Sequence, residues 1–262
     1  MQPKYSLPSN QAQRESGTYR LAETDRDFLL GNSMRGVHLQ LEYQKVEERL
    51  RAWGVRSTVV LFGGARIRSD GPPQHRQWYH QTRSFARIVS QRGGAICAMD
   101  SPRDNVIATG GGPGLIEAAN RGAMDAGAPS IGCNIALVHE QQPNPYSTPE
   151  LTFLFQYFAI WKLYLAMRAN ALVIFPGGFG TLDEMFEILT LKQTKKTAAI
   201  PIVLFDESFW RRIVNFDQLL LGGTIREEDL ALFHFASTPE NAWDHLELHI
   251  AGGGAPCHAE TI

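Results

Sequence analysis

Residues 171–184 read Ala171-Leu172-Val173-Ile174-Phe175-Pro176-Gly177-Gly178-Phe179-Gly180-Thr181-Leu182-Asp183-Glu184, and their reading decides the fold. The apolar run 171–175 has the character of a strand covered on both faces. Pro176 and the glycines end it, and Met185, Phe186, Ile188, Leu189 and Leu191 follow at helical spacing. Strand, glycine turn and helix together form the building unit of a parallel α/β sheet. The turn also has a chemistry. Backbone N–H groups converge at such a place, and the helix start adds positive potential, so it favours a phosphate. Gly177, Gly178 and Gly180 allow a ligand to come close, and Thr181 offers a hydroxyl. Asp183 and Glu184 put carboxylates within one helical turn of that anion site. Carboxylates hold a phosphate poorly, so these two are suited to act on another part of a phosphorylated molecule.

Two further turns repeat the pattern. Thr58-Val59-Val60-Leu61 leads into Phe62-Gly63-Gly64-Ala65-Arg66. Val106-Ile107-Ala108 leads into Thr109-Gly110-Gly111-Gly112-Pro113-Gly114, and Leu115, Ile116, Ala118, Ala119, Ala123 and Met124 continue as a helical face. One glycine turn is common in any strand–helix connection. Three at strand carboxyl ends point to one ligand crevice on a parallel sheet, formed by residues 63–66, 110–114 and 177–181.

The remaining chain supports a doubly wound parallel sheet in a single α/β domain. Strands are expected near 58–62, 94–98, 105–109, 130–137, 171–175 and 199–205. Helices are expected over 74–92, 114–127, 157–170, 179–193 and 208–221, preceded by one from Gly36 to Trp53. The organisation reads as an N-terminal arm over 1–35, an α/β domain over 36–250 and a flexible Gly-Gly-Gly-Ala-Pro tail over 251–262. Pro143-Asn144-Pro145-Tyr146-Ser147-Thr148-Pro149 is a rigid loop, and no internal repeat is visible.

Composition narrows the function. The 262 residues are 44% hydrophobic and 20% charged, ordinary for a soluble globular protein. A net charge of −2 gives no electrostatic case for nucleic-acid binding. No apolar run approaches the roughly 20 residues that cross a bilayer, and the N-terminus has no apolar signal region. Cys97, Cys133 and Cys257 are odd in number and scattered, as expected of reduced thiols in the cytoplasm. The histidines show no ligand spacing, so no metal site is expected.

The run Gly110-Gly111-Gly112-Pro113-Gly114-Leu115-Ile116-Glu117-Ala118-Ala119-Asn120-Arg121-Gly122-Ala123 resembles the first signature of the LONELY GUY (LOG) family, and 176–184 resembles its second, PGGxGTxxE. His139-Glu140-Gln141, Asn144-Pro145-Tyr146, Thr190-Leu191 and Gln193-Thr194 resemble its longer bacterial branch. The likeness runs from about residue 20 to residue 249. It implies a Rossmann-like fold, a homodimer, and hydrolysis of the N-glycosidic bond of a nucleoside 5′-monophosphate to free base and ribose 5-phosphate, with no cofactor. AMP and cytokinin nucleotides are the substrates it implies. These proteins were formerly labelled lysine decarboxylases.

The resemblance assigns a catalytic role to Glu184. The chemistry agrees, because breaking a ribosyl C–N bond builds positive charge that a fixed carboxylate can stabilise, or against which it can activate water. It also implies a catalytic Arg-Lys pair, which falls on Trp161-Lys162, so the lysine is present and the arginine is tryptophan. Trp161 cannot supply a forked, charged hydrogen bond. It can stack on a purine or simply pack. Arg168 lies two helical turns further on, roughly 10 Å along the axis, and is the candidate to replace the missing arginine. The remaining ligand-binding candidates are Gly63, Gly64, Arg66, Gly111, Gly112, Gly114 and Glu117, with Asn120 and His139-Glu140-Gln141 as weaker ones. A second departure is the stretch 97–104, longer than the connection the family uses and expected to form a surface loop or hairpin.

Two readings stay open: a nucleotide hydrolase, or a binding protein of the same fold that has lost turnover through Trp161. A pyridoxal-phosphate decarboxylase needs a Schiff-base lysine set against a bound cofactor, and no residue pattern here supplies one. A dinucleotide dehydrogenase fails because Leu115 stands where the last glycine of G-x-G-x-x-G belongs.

Overall fold

A computed structural model of the chain describes residues 9–98, 101–137, 142–197 and 200–250. The expected tail and the His139-Glu140-Gln141 candidate lie outside these residues. Among the described residues, no helix is long and apolar enough to cross a membrane.

The chain divides into two compact units between Glu42 and Tyr43. In the first, α1 (Gln11–Glu15) and α2 (Arg26–Leu29) are short and bury no residue. The Asp25 carboxylate accepts from the Phe28 amide and caps α2. The boundary falls inside α3 (Arg35–Ala52).

The second unit holds a seven-stranded sheet. In chain order its elements are β1 (Thr58–Phe62), α4 (Pro73–Arg92), β2 (Val106–Thr109), α5 (Leu115–Asp125), β3 (Ser130–Ile135), β4 (Thr152–Phe155), α6 (Phe158–Met167), β5 (Ala169–Ile174), α7 (Phe179–Gln193), β6 (Ile202–Phe205), α8 (Glu207–Ile213), α9 (Phe216–Leu221), β7 (His234–Ala236) and α10 (Pro239–Ile250). The spatial order is β4-β3-β2-β1-β5-β6-β7, and every pairing is parallel. The chain winds outward from β1 to β4, returns, and winds the other way from β5 to β7. The direction reverses between β1 and β5, and in open α/β sheets that is where the ligand crevice forms.

Alternation along the strands fills two cores. Val60, Phe62, Val106, Ala108, Leu172 and Ile174 face one core with Trp161, Met185 and Trp210. Val59, Leu61, Ile107, Ala171, Val173 and Phe175 face the other with Phe85, Leu115 and Trp243. Both faces of β1, β2 and β5 are therefore dry, which is why these strands read as continuous apolar runs.

The structure corrects several expected elements. Residues 94–98 form no strand, because β2 and β5 already occupy both edges of β1. Gly94 turns there at a φ of +93°, and Ile96 is left exposed. The expected helix 208–221 is two helices, broken where the Asn215 side chain accepts from the Gln218 amide and restarts the chain as α9. The helix expected over 157–170 stops at Met167, and Ala169 already belongs to β5. The edge strands β4 and β7 and the helix α10 were not anticipated.

Candidate functional site

The three glycine turns follow β2, β1 and β5, three adjacent strands in the middle of the sheet. They touch one another. The Gly64 amide donates to the Pro176 carbonyl at 2.9 Å, and the Leu115 amide donates to the Gly64 carbonyl at 3.2 Å. Gly114 has a φ of +76°, and a Cβ there would lie 2.5 Å from the carbonyl oxygens of both Gly64 and Ala65. That position requires glycine for its backbone angle and for its lack of side chain.

A polar network fixes the turn after β2. The Thr109 hydroxyl donates to Asn120 Oδ1 at 2.8 Å and accepts from the Gly111 amide at 3.0 Å. Asn144 Nδ2 donates to the Gly111 and Gly112 carbonyls, both at 3.0 Å, and to Asn120 Oδ1 at 2.9 Å. Asn120 Nδ2 donates onward to Ser130 Oγ and the Ile131 carbonyl. Asn120 thus binds the turn to β3, and its side chain is fully buried. Asn144 sits in the Asn-Pro-Tyr stretch, but nothing in the sequence indicated that its amide holds the glycine carbonyls across the loop.

The turn after β5 presents donors. Gly178 begins α7 with no side-chain cap. The amides of Gly177, Gly178, Phe179, Gly180 and Thr181 meet no acceptor among the described residues. A Cβ on Gly178 or Gly180 would touch nothing within 4 Å, so this side of the turn is open. Phe179 is 93% exposed there. Orphan amides at the start of a helix are the usual elements of an anion site.

Glu184 lies on α7 and is 5% exposed. Lys162 on α6 faces it, with Nζ 3.6 Å from Glu184 Oε1, 2.8 Å from Asp183 Oδ2 and 2.5 Å from Glu187 Oε2. Burial pushes the Glu184 carboxyl up to about 7; Lys162 pulls it down, while Glu187 and Asp183 push it up again. Burial opposes the charge on Lys162, but its hydrogen bonds to Asp183 and Glu187 and the nearby Glu184 hold the ammonium above its ordinary range. The site therefore combines a fixed cation with a carboxyl that titrates near neutrality, a property typical of acid–base sites.

The other candidates divide. Trp161 is buried in the core beneath the turn after β2. Its Nε1 donates to the Cys133 carbonyl at 2.5 Å, and a Cβ on Gly110 would lie 3.5 Å from its ring. Glu117 accepts from the Tyr79 hydroxyl at 2.8 Å and joins α5 to α4. Arg66 is exposed and forms no ion pair among the described residues. Arg168 does not stand in for the missing arginine. It precedes β5, at the strand's amino end, where its guanidinium holds Glu47 at 2.7 Å and 2.8 Å and donates to the Val55 carbonyl. A helix ending at Met167 puts this side chain at the opposite end of the sheet from the glycine turns.

A doubly wound α/β sheet with its glycine turns gathered at the switch point, next to a helix start with free amides, is a frame for phosphorylated ligands. A family model described as "Possible lysine decarboxylase" matches residues 116–246, half of the chain. The chain belongs to that family, the LONELY GUY-like proteins. The X-ray structure of TM1055 is similar over 73% of this chain and 99% of that one, with a TM-score of 0.54 and 20% identity, a likeness of fold. The structure of a Moco carrier protein from Chlamydomonas reinhardtii covers 76% of this chain and 99% of its own, with a TM-score of 0.49 and 17% identity. No curated protein matches the chain.

Proposed function

We propose that this protein hydrolyses the N-glycosidic bond of a purine nucleoside 5′-monophosphate, releasing the base and ribose 5-phosphate. The observation that carries this reading is the pairing at the start of α7 of five amides, at 177–181, that are unpartnered among the described residues, with the buried carboxyl of Glu184 a turn further on. The amides and the Thr181 hydroxyl hold the 5′-phosphate, and Arg66 adds charge. That anchors the sugar at a set distance from Glu184. As the C–N bond lengthens, positive charge grows on the ribose, and the ionised carboxylate stabilises it or takes a proton from the attacking water. Lys162 keeps Glu184 in place and favours its charged form. The products balance as water added across the glycosidic bond, with the leaving base taking up a proton.

A second reading has its own observation. Trp161 occupies the place where the family resemblance puts a catalytic arginine, and it is committed to the core through Cys133. A protein of this kind keeps the phosphate cradle and binds the nucleotide without turning it over. Lys162, the lysine beside Glu184, is unsuited to the Schiff base of a cofactor-dependent decarboxylation, which the family's description names. A Schiff base requires a neutral amine, and three carboxylates hold this one protonated. Incubating purified protein with AMP and measuring free adenine by chromatography tests the hydrolase reading. Saturable AMP binding without adenine release selects the binding protein; absence of both overturns the nucleotide assignment.

A further inference from the structure

Asn134 stands out among the buried amides. Asn105, Asn120 and Asn144 are buried with their side chains hydrogen-bonded. Asn134 is 6% exposed, and neither its Nδ2 nor its Oδ1 has a partner among the described residues. Among the described residues it is the only one to leave two buried side-chain atoms unpartnered. Each such atom gives up its bonds to water and gains none in return, a loss that an apolar residue of the same shape would not suffer. A leucine would suit this strand position better if packing were the only demand.

The place of this amide is informative. Asn134 is near the carboxyl end of β3, the strand beside β2, whose turn begins the crevice. It lies against Gly111, where a Cβ would come within 2.3 Å of Nδ2, 2.8 Å of Cγ and 2.9 Å of Oδ1. Gly111 has a φ of +68° and no side chain, so only a bare backbone turn stands over the amide. The terminal torsion of asparagine is soft, and with no partner to lose the amide turns toward a ligand at little cost.

We propose that Asn134 recognises the base of the bound nucleotide. The inference rests on the nucleotide reading above. Measured across the sheet from the phosphate cradle after β5, β3 is three strands away, about 14 Å. An extended nucleoside monophosphate is comparable in length, whereas its ribose hydroxyls lie too near the phosphate to reach so far. A carboxamide offers a donor and an acceptor side by side. Its complement is the amino and ring-nitrogen edge of adenine, the pairing that asparagine makes with adenine elsewhere.

The test compares AMP with ribose 5-phosphate, which has no base, by calorimetric titration of wild type, Asn134→Leu and Asn134→Ala. Thermal unfolding of each variant verifies that it is folded. The expected result is a loss of about tenfold in AMP affinity for both variants, with ribose 5-phosphate binding unchanged and the Leu variant no less stable than wild type. AMP binding that equals wild type in a folded variant overturns the role of Asn134, as does an equal loss for both ligands. If wild type binds neither ligand, the nucleotide reading itself fails, and this proposal with it.

Discussion

Lys162 Nζ lies 3.6 Å from Glu184 Oε1 while Asp183 and Glu187 hold it at 2.8 Å and 2.5 Å. Two more exposed carboxylates thus tether the lysine, and the buried one stays close enough to feel its charge without a short hydrogen bond to it. Glu184 is in this way kept next to a cation and still able to titrate.

Glu184→Gln should abolish hydrolysis while leaving phosphate binding intact, because the amide keeps the shape and loses the charge. Removing one transition-state partner commonly costs on the order of 2–4 kcal/mol, or about 10²–10³ in rate. Adenine release measured beside ribose 5-phosphate titration checks both parts. Unchanged turnover in the variant would remove Glu184 from the mechanism.

The pH profile follows from the same carboxyl. With Glu184 raised to about 7, its reactive carboxylate form fills only as pH rises through neutrality, so turnover should climb with a midpoint near 7. Lys162→Met removes the charge that pulls this value down, and the midpoint should move to higher pH. Stability has the opposite slope. The folded protein holds the proton longer than the unfolded chain does, so this group's contribution falls as pH rises from about 4.5 to about 7. Initial rates from pH 5 to 9 would contradict the assignment if they were flat.

Gly114→Ala and Gly178→Val should behave in opposite ways. At Gly114 the added carbon meets two backbone oxygens at 2.5 Å at a positive φ, so urea denaturation should show a loss of roughly 2 kcal/mol or more. At Gly178 the space is open, so the variant should fold normally and lose ribose 5-phosphate binding. Normal binding by folded Gly178→Val would place the anion site elsewhere.

Arg168→Ala should destabilise the protein, by on the order of 2 kcal/mol, because it leaves the buried Glu47 carboxylate with only the exposed Arg51 as an ion-pair partner and takes a donor from the Val55 carbonyl. It should leave nucleotide affinity at the wild-type value. A selective loss of AMP binding without a loss of stability would return Arg168 to the ligand site.

A homodimer is expected from the flanks of α6 and α7. Phe158 on α6 and Phe179 and Phe186 on α7 remain exposed after Trp161, Tyr164 and Leu165 are buried, as does Leu154 on the edge strand β4. Light scattering at micromolar concentration should give twice the 29.2 kDa chain mass. A monomeric mass would refute it.

The sequence by itself determined the sheet's centre and the three glycine turns that frame the candidate site. Continuous apolar runs at 58–62, 106–109 and 171–175 are the signature of strands covered on both faces, and local glycine spacing marks where each one turns into a helix. Those signals are written within a few residues of one another. The edge strands at 152–155 and 234–236 are short and partly exposed, so nothing local distinguished them from loop. Only the tertiary structure decided which partner each charged group found. Arg168 is two helical turns from Trp161 in sequence, yet a helix ending at Met167 turns it toward Glu47 at the other end of the sheet. Asn144 and Asn134 are ordinary polar letters until the fold sets one beneath the Gly111 carbonyl with its bonds made and the other against the Gly111 α-carbon with none. Burial and hydrogen-bond satisfaction belong to positions in space, and residues distant in the chain establish them together.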